Sequence, residues 1–227
     1  MQPQMQYSAM PYALDQNRVL RNTYGLLGLT MIPTVIGAFV GMGTNFAFLV
    51  QSPLVGSLVM LAVMFGLMFA VGATRNSSLG ILFLLIFTGV AGWFLGPILQ
   101  VALHLRNGPA LIGIAAGGTG AIFLSLAAFA TVTRRDFGFM GNFLFVGLIL
   151  LIIASLANIF LHVPAASLAI SAIAVLIFSG YILFDVSRIV HGGETNYIMA
   201  TLALYLDIYN IFVNLLSLLM ALSGERD

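Results

Sequence analysis

GYILFDVSRIVHGGETNYIMATLALYLDIYNIFVNLL, residues 180–216, holds two apolar runs joined by a short polar turn that contains two glycines. The second run continues to Leu222 and carries one charge, Asp207. A bilayer core needs about 20 apolar residues per helix, so this stretch predicts two antiparallel transmembrane helices, with Asp185 closing the first and Asp207 inside the second. On insertion scales an Asp at a helix centre costs roughly 2.5–3.5 kcal/mol, whereas a Leu or Ile returns about 0.3–0.6. An acid kept at that cost calls for a reason, and intramembrane acids face a bundle interior or a water-filled cavity.

The rest of the chain has the same character. Of its 227 residues, 61% are hydrophobic and 7% are charged, against roughly 25% charged in a soluble domain. Five more apolar runs recur between short polar breaks, which predicts an all-α integral membrane protein with seven spans. They run from Tyr24 to Thr44, Leu54 to Ala73, Leu79 to Leu103, Pro109 to Val132, Asn142 to Leu161, Ala165 to Val186 and Tyr197 to Leu222. Gly96-Pro97 falls inside the third span and predicts a kink there. Residues 21–224 form the transmembrane domain, and residues 1–20 read as a polar tail too poor in apolar surface to fold alone.

Arginine placement orients the bundle. All eight basic residues are Arg. Arg18, Arg21, Arg75, Arg134, Arg135 and Arg188 fall on one side of the seven-span topology, and Arg106 and Arg226 on the other. The positive-inside rule then makes the N-terminus cytoplasmic and the C-terminus external. A net charge of +1 gives no electrostatic case for nucleic acid. Without cysteine there is neither a disulfide framework nor a thiolate metal site. Small residues four apart, Gly37 and Gly41, Thr88 with Gly92 and Gly96, and Gly113 and Gly117, predict close helix approach.

Asp207, Asn210 and Asn214 recur at i, i+3 and i+7, one face of the last span. That polar, pore-lining stripe suits a central helix surrounded by the other six. Ten residues at 1.5 Å each place Asp207 about 15 Å from the start of its span. It meets Asp185 if span six enters deeper than drawn or span seven starts later. Two carboxyl groups in a low-dielectric space do not both ionise comfortably, so such a pair titrates as a unit and makes a proton switch. Both ionised, they form a hard oxygen site suited to Ca²⁺. The alternative is a buried polar clasp that fixes helix order. Arg75, after span two, is a candidate latch for Asp185, with Arg188 as a competitor. His191 and Glu194 have an HxxE spacing, but a glycine pair makes a poor metal scaffold. Asn158 is suited to a helix–helix hydrogen bond, and Trp93 to packing. No Ser-His-Asp set, zinc motif or phosphate loop appears, which speaks against an enzyme or a resident cofactor.

The residue 180–216 stretch, with RNTYGLLGLT near the start, GPIL in span three and ANIFL in span five, resembles the Bax inhibitor-1 (transmembrane Bax inhibitor motif) family, in its bacterial YccA-like branch. The likeness covers about residues 18–222. It implies six helices around a central seventh, and a di-aspartyl pH sensor carried by Asp185 and Asp207. It also implies a pH-sensitive Ca²⁺ leak through the inner membrane, in which Ca²⁺ is the transported ion, with an Arg latch whose nearest match is Arg75. Some channel-like members carry a Glu within span two, and LVGSLVMLAVMFGLMFAV has none. The resemblance further implies a second role: substrate or modulator of a membrane-anchored AAA protease, engaged through the tail Met1 to Asn17.

Overall fold

The computed structural model describes residues 10–47 and 51–224. It is helical in the order α1 Met10–Met42, α2 Pro53–Thr74, α3 Ser78–Phe94, α4 Gly96–Leu103, α5 Gly108–Thr133, α6 Met140–Leu161, α7 Pro164–Val190 and α8 Tyr197–Gly224. Taking α3 and α4 as one span, six helices among the described residues are long and apolar enough to cross a membrane, and α2 supplies a shorter apolar segment, Leu58–Thr74.

Helix starts follow local chemistry. Proline opens α2 and α7 and sits in the first turn of α4 and α5, where its missing N–H costs no bond. Asn196 precedes α8. Its Oδ1 accepts from the N–H groups of Ile198 and Met199 at 3.0 and 3.1 Å. Its Nδ2 donates to the Arg75 carbonyl and to Asn76 Oδ1, both at 2.9 Å. One side chain therefore starts α8 and ties it to the α2–α3 turn.

The structure differs from the sequence-based boundaries in three places. Residues 1–9 of the expected tail lie outside the described residues, but from Met10 the chain is already helix, so residues 10–20 belong to α1 rather than to a tail. The polar residues there had argued against structure. Continuous with an apolar helix, they need only propagate one, which avoids the cost of nucleation. Second, span three divides at Leu95 into α3 and α4, at the expected kink, with Leu95 itself still right-handed helical (φ −71°, ψ −16°). Pro97 has no N–H to offer the Trp93 carbonyl, so the ladder is interrupted one turn earlier. Third, α7 runs to Val190, one turn beyond the expected Val186.

Close packing centres on α1 and α3. A Cβ on Gly37 would overlap the Gly89 carbonyl, and one on Gly92 would overlap the backbone of Thr34. Small residues here let two helices meet backbone to backbone, as packing in lipid requires. Gly113 and Gly117 depart from the expectation: a Cβ on either meets nothing within 4 Å. They lie on an exposed face of α5, not in a helix contact. α8 touches α1, α2, α3, α4, α5 and α7, whereas α6 touches only α7 among the described helices. Gln100 of α4 closes the far end of α1, its Nε2 lying 2.8–3.1 Å from the carbonyls of Gly41, Met42 and Thr44. Trp93 packs there against Phe46 and donates to Thr44 Oγ1 at 2.9 Å.

Candidate functional site: the α7–α8 acid pair

The extra turn of α7 decides the geometry. It carries Asp185 five residues inside the helix end, and Asp207 lies ten residues into α8. The two carboxyl groups lie near enough for each to act on the other. Asp207 is 4% exposed, and its Oδ2 is buried without a hydrogen-bond partner. Asp185 is less enclosed, its side chain 13% exposed. One acid is thus sealed in the bundle while the other is partly exposed.

Arg188, one turn after Asp185, is the cation beside the pair. Its Nη1 is 3.8 Å from Asp185 Oδ1, and its Nη2 is 3.8 Å from Glu194 Oε2 in the α7–α8 turn. The guanidinium also lies 5.6 Å from the centre of the Phe184 ring. At these distances the contacts are ion pairs without hydrogen bonds, easily remade. Arg75 is exposed at the end of α2 and makes no ion pair among the described residues. Of the two latch candidates, then, Arg188 is the one beside Asp185. Arg75 contributes its backbone carbonyl, to Asn196.

Asn210 and Asn214 follow Asp207 on one face of α8. Their Nδ2 groups turn back to the carbonyls of Leu206 and Asn210, each at 2.8 Å, which leaves each side-chain oxygen as an acceptor. The face continues to Ser217. That residue lines a cavity of about 760 Å³ at the opposite end of the bundle, with Asn158, His162, Ser167 and Ser171. Asn158 donates to Ser167 Oγ at 2.6 Å, joining α6 to α7 as expected.

Two groups at the site escaped sequence reasoning. Tyr181 lies one turn before Asp185 on the same face and within electrostatic reach of both carboxyl groups; its i−4 spacing was the available signal. Tyr205, two residues before Asp207, is buried. Its hydroxyl bonds Thr34 Oγ1 at 2.9 Å and the Thr88 carbonyl at 3.2 Å. That link pins α8 to the α1–α3 pair, and nothing in the spacing of Thr34 or Thr88 announced it. His191 is structural here: its ring nitrogens lie 2.8 and 3.1 Å from the carbonyls of Ser187 and Arg134, bracing α7 against the end of α5.

Residues 16–224 match the family model described as "Inhibitor of apoptosis-promoting Bax1". The chain belongs to the Bax inhibitor-1 family. Among similar proteins, a Vibrio cholerae "Uncharacterized membrane protein" is 45% identical over 212 residues, 93% of each chain. The Escherichia coli K12 protein named "Modulator of FtsH protease YccA" is 45% identical over 206 residues, 91% of each chain. A Pseudomonas aeruginosa protein is 39% identical over 218 residues, 96% of each. These relatives are matched along nearly their whole length, so this Bax inhibitor-1 family chain corresponds to them as a unit and places itself in the YccA-containing bacterial branch.

Proposed function

We propose that this chain forms a pH-sensitive Ca²⁺ leak in the bacterial inner membrane, with its N-terminus cytoplasmic, gated by Asp185 and Asp207. The observation that carries the reading is the pairing of a sealed Asp207 with a partly exposed Asp185 and the Arg188 cation beside it. In this reading α8 is the central helix. With a proton shared between the acids, α7 and α8 are clasped and the path is shut. Loss of that proton sets like charges side by side, and Arg188 then competes for Asp185 as Asp207 is released. The freed carboxyl oxygens are hard ligands for Ca²⁺, which fills the rest of its shell of 6–8 oxygens from water and carbonyls. Asn210 and Asn214 carry the polar face on toward the cavity at Ser217.

Ca²⁺ influx into liposomes holding the purified protein tests this across pH 6–8. The wild type is expected to show a pH-dependent flux, and Asp207→Asn a flux with that dependence removed. No flux above empty liposomes at any pH overturns the channel reading.

A second reading rests on a different observation, the 45% identity to a protein named as a modulator of FtsH protease. Here the chain acts on a membrane-anchored AAA protease through its N-terminal segment, residues 1–17, which includes the first turns of α1, and the acid pair is a structural clasp. Deleting residues 1–17 then abolishes co-purification with the protease, whereas Asp207→Asn leaves it intact. Retained co-purification after the deletion overturns this reading.

A further inference from the structure

The backbones of α1 and α5 do not meet. Between them lies a slot of about 880 Å³ floored by α8. Its walls are apolar, Leu27, Met31 and Val35 on one side and Phe123, Leu124 and Ala127 on the other. It opens sideways past outward-facing Val35, Leu124 and Val132. On α1 it runs from Tyr24 to Met42, about 27 Å at 1.5 Å per residue, close to the full thickness of a hydrocarbon core. Apolar, open sideways and this long, the slot suits an acyl chain of the surrounding bilayer.

The slot is not purely apolar. Thr119, 3% exposed, lines it, and its Oγ1 has no hydrogen-bond partner. At one end Tyr24 reaches across from α1, its hydroxyl 3.3 Å from Thr131 Oγ1 and its ring edge-on to Phe123. Thr131 also lines a second, small pocket with Gln16, Asn17 and Arg134. That pocket sits at the arginine-rich end of the bundle. Arg134 is the residue at which α5 stops, in a left-handed conformation, φ 48°. Its carbonyl is 3.1 Å from His191 Nε2, and its N–H bonds the Ala130 carbonyl at 3.1 Å. The base of this arginine is thus fixed beside the mouth of the slot, and the side chain makes no ion pair among the described residues. Basic pockets between transmembrane helices at this side are headgroup sites for anionic lipids.

We infer that the α1–α5 slot and the Arg134 pocket together form a binding site for one anionic glycerophospholipid, one of its two acyl chains along the slot and its phosphate on Arg134, Gln16 and Asn17. The inference is independent of what the acid pair does, although a lipid here would lie against α8, the helix that carries Asp207.

Native mass spectrometry of the purified, detergent-solubilised full chain, with phosphatidylglycerol or phosphatidylcholine added, tests the site. The wild type is expected to retain phosphatidylglycerol preferentially. Arg134→Gln should lower that retention about fivefold, the weight of one basic residue at an anionic headgroup, and Arg134→Lys should restore most of it. Gly28 and Gly120 line opposite walls, and a Cβ on either meets nothing within 4 Å. The double variant Gly28→Leu/Gly120→Leu therefore fills the slot without strain and should lower retention of both lipids. Equal retention of the two lipids by the wild type overturns the inference. So does unchanged phosphatidylglycerol retention in Arg134→Gln or in a double variant that keeps the wild-type melting temperature. Displacement of bound lipid by glycerol phosphate would also overturn it, because the site would then be one for a soluble phosphate.

Discussion

Asp207 shows what a single residue determines here. Its Oδ2 is buried without a partner, so the fold bears an unmet polar group beside a second carboxyl group. Replacing it by Asn keeps the shape and removes the charge. Asp207→Asn is therefore expected to unfold in denaturing detergent no more easily than the wild type, while the pH dependence of flux disappears. A loss of several kcal/mol would mean that the acid pair is chiefly a clasp, since removing one partner of a buried pair is costly when the pair holds the structure. Tyr205→Phe makes the opposite test. It removes hydrogen bonds to Thr34 and Thr88 and should cost about 0.6 kcal/mol in the same unfolding assay, the average for interhelical bonds in a membrane. Tyr181→Phe removes a hydroxyl near both acids, and its signature is a shifted pH profile of flux with unchanged stability.

Helix contacts carry their own predictions. Gly92→Leu drives a side chain into the Thr34 backbone, which cannot yield. The α1–α3 pair should separate, and the purified variant should lose protease resistance. Gly113→Leu, which meets open space, should behave as wild type. Both glycines belong to the same four-residue spacing, so spacing alone does not sort them. Asn196→Ala removes the cap of α8 and its tie to the α2–α3 turn. It should cost about 1 kcal/mol as a lost cap, read as a lower midpoint in detergent unfolding.

At the scale of the whole molecule, orientation is the property with the clearest experiment. The chain has no cysteine, so single cysteines report without background. A cysteine at Gly138, beside Arg134 and Arg135, should label only after the membrane is permeabilised. One at His162 should label in intact cells. The reverse pattern would turn the bundle over and move the acid pair toward the outer face.

How much of this was legible in the sequence depends on which physics set it. Run length and polar breaks located the spans, because the bilayer fixes how many apolar residues a helix needs. They also marked Asp185 and Asp207, since a charge in an apolar run stands out whatever its surroundings, and the i, i+3, i+7 spacing placed Asn210 and Asn214 on the face of Asp207 because helical geometry is local. Tertiary structure decided the rest. That Arg188 rather than Arg75 lies beside Asp185 follows from one extra turn of α7, a boundary that no local pattern defines. The Tyr205–Thr34–Thr88 link joins residues far apart in the chain. The α1–α5 slot exists because the backbones of two helices stay apart, and a gap between helices leaves no periodicity in either one.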